Sequence, residues 1–292
     1  MIVITTPTGQ IGRQVLDNIL DSAEAIRVIV RDPSRLAPRV RERVEVVPGS
    51  HNDLGVLTEA FAGADSVFWV VPPDPSATSA EDYYLSFTRP LCEAIVSQGV
   101  RRVVGVSTLG RGVAENAGQI SAALAMDELI EKTGVSYRAL EMPGFMENML
   151  RQIEPIKSQG AFFLPMSGDR KVPSCATRDI AAVAAELLLD DSWSGQEGVP
   201  VLGPEDLSAH DMAQIMSEVL ERPVRFQQVP GDAYKATLIR HGMSEAWAQG
   251  LIDMTAAVER GIYSAQPRTP RSTTPTSFRQ WCEEVLKPAF SQ

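Results

Sequence analysis

The chain has 292 residues, 44% apolar and 22% charged, so it can bury a large core, and its composition is neither disordered nor fibrous. A formal net charge of −10 argues against nucleic acid as a partner, since that footprint needs clustered excess Lys and Arg. No stretch approaches the ~20 apolar residues needed to span a bilayer, and three scattered cysteines and three histidines without CxxC or HExxH spacing suggest neither a disulfide framework nor a metal site.

The first half alternates short Val- and Ile-rich runs with segments of helical spacing, the pattern of a parallel sheet covered on both faces. Strands are predicted at 2–4, 26–30, 44–47, 66–71, 102–106 and 136–140, and helices at 12–20, 54–61, 85–97 and 120–132. The opening residues run straight into the first strand without the charged and apolar regions of a leader, so the chain reads as a soluble cytoplasmic protein. After Pro143 the rhythm changes. Strands are predicted at 161–164, 199–202 and 224–229, with helices at 178–189, 208–220, 232–241, 244–261 and 278–286. The Pro-, Thr- and Ser-dense stretch 267–277 reads as a surface segment. The expected fold is α/β: a doubly wound parallel Rossmann sheet forms the dinucleotide-binding domain over residues 1–140. A smaller, mostly helical substrate region over 141–292 follows, and some of its segments return to the sheet core.

Between the first strand and first helix lies Thr5-Thr6-Pro7-Thr8-Gly9-Gln10-Ile11-Gly12. A glycine-rich turn at this point lets backbone approach a pyrophosphate, whose charge then sits at the helix N-terminus. The spacing fits GxxGxxG with Thr6 in place of the first glycine. The second strand ends in Arg31-Asp32-Pro33. An Arg there suits the 2′-phosphate of NADP(H), whereas Asp32 could instead hold the ribose hydroxyls of NAD(H); the reading favours NADP(H).

Those residues, with VIVRDPSRL, AFAGADSVFWVVPP, VRRVVGVSTLG, MPGFMEN, RDIAAVAAELL and GPEDLSAHDMAQIMSEVLERPV in this order, resemble the NmrA-like family of atypical short-chain dehydrogenases, including its NAD(P)H:quinone oxidoreductase-like members. The resemblance covers nearly the whole chain. It implies that Thr8, Gln10 and Ile11 line the pyrophosphate and that Arg31 meets the adenosine phosphate. It also implies that Val71, Pro72 and Ser107 follow the cofactor towards nicotinamide and that Phe145 lies near its ring. The sequence departs from the family at Thr6, at Ser50 (where an acid is common) and at Glu141-Met142, which replace an Arg-Pro pair.

Short-chain dehydrogenases commonly use Tyr-x-x-x-Lys, in which the lysine lowers the phenol pKa. Four residues after Tyr83, Tyr84, Tyr137, Tyr234 and Tyr263 stand Phe87, Thr88, Glu141, Leu238 and Pro267, so this chain has no such pair. Two readings follow. One is a reductase acting on a quinone or conjugated carbonyl, with Ser107 the candidate polar contact and Phe145, Phe163 and Trp247 candidate substrate residues. The other is a redox sensor that binds NADP(H) and signals through a protein partner. Homo-oligomerisation is left open.

Overall fold

The computed structural model describes residues 1–291. In the N-terminal half, β1 (Ile2–Ile4), β2 (Ile26–Val30), β3 (Glu45–Pro48), β4 (Ser66–Trp69), β5 (Arg102–Val106) and β6 (Ser136–Glu141) alternate with helices. These are α1 (Gln10–Ile19), α2 (Pro38–Arg41), α3 (Leu54–Phe61), α4 (Ala80–Gln98) and α5 (Gln119–Lys132). Then come β7 (Gly144–Phe145), α6 (Ile153–Gln159), β8 (Ala161–Leu164), β9 (Val172–Cys175), α7 (Thr177–Leu189), β10 (Gln196–Pro200), β11 (Asp206–Leu207), α8 (Ala209–Val219) and β12 (Arg225–Gln228). Helices α9 (Gly231–Arg240), α10 (Glu245–Glu259), α11 (Phe278–Trp281) and α12 (Lys287–Ser291) follow.

Seven strands form one parallel sheet in the order β10-β6-β5-β4-β1-β2-β3. The α/β class with a doubly wound Rossmann sheet is therefore the observed architecture. Strand alternation splits the core in two. Ile2, Ile4, Val28 and Val104 face α1 and α7, whereas Val3, Val67, Trp69 and Val103 face α3, α4 and α5. On α1 the buried residues Ile11, Val15, Leu16 and Ile19 recur at helical spacing, and burying each large one contributes about 1.5–3 kcal/mol. The strand order reverses between β1 and β4, and doubly wound sheets carry their ligand crevice at such a point, beyond the carboxyl ends of the strands.

The later segments differ more from expectation. The edge strand β10 starts at Gln196 rather than 199 because its first residues, Gln196 and Glu197, are exposed and lack an apolar signature. A three-stranded sheet, β11-β9-β7, is built from pieces too short and polar to register as periodic. Residues 267–277 are not simply a surface segment: Ser272, Thr274 and Thr276 are buried. Leu202 N–H donates to Ser272 C=O at 2.8 Å, Thr274 N–H donates to Leu202 C=O at 2.7 Å, and Thr276 Oγ1 donates to Asp179 Oδ1 at 2.7 Å. Hydroxyls that find buried partners make such a composition compatible with the interior. No helix among the described residues is long and apolar enough to cross a membrane.

Candidate active site

At the crevice, Thr5 is tied to β4 through Thr5 Oγ1, which donates to Phe68 C=O at 3.0 Å. The chain then turns, with Gly9 N–H donating to Thr6 C=O at 3.0 Å, and enters α1. Gly9 is the N-cap residue and no side chain caps the helix, so the first-turn amides face outward without a side-chain acceptor. A Cβ on Gly12 would lie 2.0 Å from Thr6 C=O, which explains glycine at that position: the helix closes directly onto the loop backbone. A Cβ on Gly9 would meet the same oxygen at 3.4 Å, a tolerable contact. The Thr6 hydroxyl is buried and has no hydrogen-bond partner among the described residues. An unpaired donor and uncapped amides around one turn are the features an anion would satisfy. Thr8 is half-buried, Gln10 exposed, and Ile11 turns its side chain into the core, leaving its amide as the group it can offer.

Arg31 follows β2 and is exposed, with no hydrogen bond or ion pair to any described residue. Its neighbour Asp32 is engaged locally, with Oδ1 accepting from Ser34 N at 3.0 Å and Ser34 Oγ at 2.7 Å. Those bonds hold the carboxyl below its ordinary pKa. Beyond β3, the buried His51 ring packs on Trp69 and Phe87, with Nε2 3.1 Å from Val70 C=O. Desolvation lowers its pKa to about 4, so the imidazole is neutral at physiological pH.

Val71 is buried and Pro72 half-buried where the loop into α4 begins. That loop is pinned by α10: Ser244 N–H donates to Pro75 C=O at 2.9 Å and Ser244 Oγ to Ala77 C=O at 2.6 Å. Tyr83 of α4 meets Trp247 of α10 edge-on, with ring centroids 6.1 Å apart.

At the end of β5, Ser107 Oγ donates to Asp127 Oδ2 of α5. Tyr137 OH donates to Asp127 Oδ1 at 2.6 Å. Arg111 reaches three carboxylates: Asp127 Oδ2 at 2.9 Å, Glu131 Oε1 at 2.8 Å and Glu141 Oε1 at 3.0 Å. Gln266 Nε2 donates to Glu141 Oε2 at 2.9 Å. Burial raises the Asp127 pKa to about 6 against the pull of its hydrogen bonds and Arg111. The sequence reading missed Asp127, although one signal was present. It interrupts the buried face of α5 made by Ile120, Ala123, Met126 and Ile130, where an acid needs partners.

The aromatic residues proposed for substrate lie on three different elements, β7, β8 and α10. Phe145 lies on β7 beside β9, while Phe163 on β8 pairs with Gln227 and lines a separate cleft of about 390 Å³. Trp247 is only 4% exposed, and its carbonyl accepts from Gln119 Nε2 at 3.1 Å. A larger cleft of about 680 Å³ opens between the β5–α5 loop and the end of α10, lined by Val113, Asn116, Asp253, Ala257, Arg260 and Ile262 among others.

The model of the NmrA-like family matches residues 1–266. The chain belongs to the NmrA-like family. It is 31% identical to the (4-alkanoyl-5-oxo-2,5-dihydrofuran-3-yl)methyl phosphate reductase of Streptomyces griseus, over 97% of each chain. It is 27% identical to the NAD(P)H azoreductase of Xenophilus azovorans, over 88% of this chain and 86% of that one. Its fold matches the crystal structure of the NADPH-dependent quinone oxidoreductase of Escherichia coli complexed with NADPH, with a TM-score of 0.83 at 20% identity, covering 98% of this chain and 100% of the other.

Two departures within this NmrA-like chain, Thr6 and Glu141, have local structural accounts. Thr6 fits because its hydroxyl lies between Gly9 and Gly12, neither of which has a side chain. Glu141 is tolerated at 1% exposure because Arg111 and Gln266 satisfy its two oxygens. Burial raises the pKa of all five tyrosines above the ordinary value, so none of them is poised as an acid near neutral pH.

Proposed function

We propose that this chain is an NADP(H)-dependent reductase acting on a quinone or another conjugated carbonyl, without a Tyr-x-x-x-Lys pair. The observation that carries the cofactor is the pairing of an uncapped α1 N-terminus and unpartnered Thr6 hydroxyl with an unneutralised Arg31. The amides of Gln10, Ile11 and Gly12 with the Thr6 and Thr8 hydroxyls would hold the pyrophosphate. Arg31 would take the 2′-phosphate, since Asp32 is already bonded to Ser34. Val71, Pro72 and Ser107 would carry the cofactor towards Phe145 at the nicotinamide end. When bound, the dinucleotide supplies a hydride.

The acceptor class rests on two supports. The named relatives reduce an oxo-dihydrofuran, whose name describes a conjugated carbonyl, and, in the azoreductase, an azo group. The raised tyrosine pKa values also favour acceptors whose reduction does not depend on a tyrosine acid. The test is NADPH oxidation with a panel of quinones, unsaturated lactones and azo dyes. Acceptor-dependent turnover well above background supports the reductase; tight NADPH binding with no turnover on any of them defeats it.

A further inference from the structure

The buried polar cluster behind Ser107 contains more negative charge than its one cation can neutralise. Asp127, Glu131 and Glu141 converge on Arg111, so with every group ionised the cluster would carry a formal charge of −2. Asp127 is fully buried, so desolvation and the repulsion of Glu131 both favour a retained proton on it, against its hydrogen bonds and Arg111. The groups facing Asp127 are Ser107 at the end of β5, Arg111 in the following loop, Glu131 on α5 and Tyr137 on β6; Glu141, also on β6, pairs with Arg111. Of these, Arg111 and Glu131 are about one-third exposed, at 33% and 28%, and so connect the cluster to solvent.

We propose that Asp127 is the proton store for the reduction and delivers its proton through Ser107 Oγ; this rests on the reductase reading above. When Asp127 carries the proton, the Ser107 hydroxyl rotates to accept from it, which frees the Ser107 hydrogen for a substrate oxygen. As hydride arrives at the substrate carbon, the electron pair of the C=O π bond, or of the conjugated system, moves to that oxygen. The oxygen takes the Ser107 proton, and Ser107 takes the Asp127 proton as the Asp127 O–H bond breaks. The substrate thus gains one hydride and one proton, the reduced nicotinamide is oxidised, and Asp127 is left as a carboxylate. Asp127 then regains a proton from solvent, which reaches the cluster at its part-exposed edge, where Arg111 and Glu131 lie. Ser107 is the group that would touch substrate; Asp127 acts through it. A tyrosine acid is not required.

Two measurements test this. First, the ¹³C carboxyl resonance of Asp127 in the protein without cofactor, assigned by comparison with Asp127→Asn, should titrate near pH 6. A midpoint below about 4, the ordinary range of an Asp, overturns the store. Second, reductase turnover should fall on the order of 100-fold in Asp127→Asn at pH 6, the scale of general-acid assistance, with the KM for NADPH unchanged and the rise in rate towards acid pH abolished. Ser107→Ala, which leaves the Arg111 pairs in place, should fall similarly. The double variant should be no slower than either single one, because the two act as one unit. A wild type that reduces no acceptor defeats the functional reading. An active wild type whose rate and pH profile are matched by Asp127→Asn defeats this inference alone.

Discussion

Two arginines at the carboxyl edge of the same sheet are treated in opposite ways. Arg31, after β2, stands exposed with no ion pair among the described residues, while its neighbour Asp32 is already bonded to Ser34. Arg111, after β5, is held by three carboxylates, one of them completely buried. A charge left idle where backbone amides also lie uncapped is complementary to something outside the chain. A saturated cluster answers to the chain itself, and its interest lies in what the surplus negative charge retains. The end after β2 is thus complementary to an anion, and the β5–α5 end is organised to hold a proton.

The largest effect expected at the receiving end comes from Gly9→Val. Its Cβ would sit 3.4 Å from Thr6 C=O, so the fold should survive, yet the side chain would occupy the approach proposed for the pyrophosphate. NADPH affinity should drop more than 100-fold by calorimetry with little change in thermal midpoint. Gly12→Ala should instead destabilise the protein, since its Cβ would lie 2.0 Å from the same oxygen. If Gly9→Val binds NADPH normally, the loop is not part of the site.

The next effect pits a buried group from each end against the other. His51 titrates near 4 in the fold instead of 6.5, so its contribution is present above pH 6.5 and is lost as pH falls towards 4. Asp127 titrates near 6 instead of 3.8, so its contribution is present below 3.8 and is lost as pH rises through 6. Each shift corresponds to about 3 kcal/mol, with opposite signs over nearly the same window. Asp127→Asn should therefore unmask the histidine and lose about 3 kcal/mol between pH 6.5 and 4 relative to wild type, read from urea unfolding at several pH values. His51→Leu should show the reverse slope. Parallel pH dependences in wild type and both variants would mean that neither group is perturbed in this way.

Arg31→Ala should remove a preference for NADPH over NADH of roughly tenfold or more, the scale of a charge-assisted contact to phosphate, and leave NADH affinity nearly unchanged. Equal affinities in the wild type would return the ribose to Asp32.

The β1–α1 turn and the exposed Arg31 were legible in the sequence because their signals are local. The strand, turn and helix are contiguous, and Arg31 directly follows β2. The parallel strands are short apolar runs because both their faces are covered. The proton-holding end was not legible as a unit. Ser107, Arg111, Asp127, Tyr137 and Glu141 lie on different elements, and only folding brings their side chains within hydrogen-bond reach. The substrate aromatics were grouped by composition, but composition carries no direction, and Phe163 and Trp247 settle in different places. The same limit explains residues 267–277, where Ser and Thr hydroxyls serve buried acceptors such as Asp179 and the Leu202 carbonyl.

The smallest effects belong to the tyrosines, and they sharpen the distinction between a group that donates a proton and one that tunes the donor. Tyr83, Tyr84, Tyr234 and Tyr263 have raised pKa values caused first by burial, and none has a lysine four residues on, so Phe at each position should leave turnover within a few-fold. Tyr137 differs because its hydroxyl donates to Asp127 at 2.6 Å and thereby favours the ionised carboxylate. Tyr137→Phe removes that bond and should move the Asp127 titration to higher pH, carrying the acid limb of the rate profile with it. At pH 6 the change in rate should be no more than a few-fold, because the store is then more fully loaded but also a weaker acid. A hundredfold loss in Tyr137→Phe, with folding and NADPH affinity intact, would make the phenol itself the proton donor and leave Asp127 only its support.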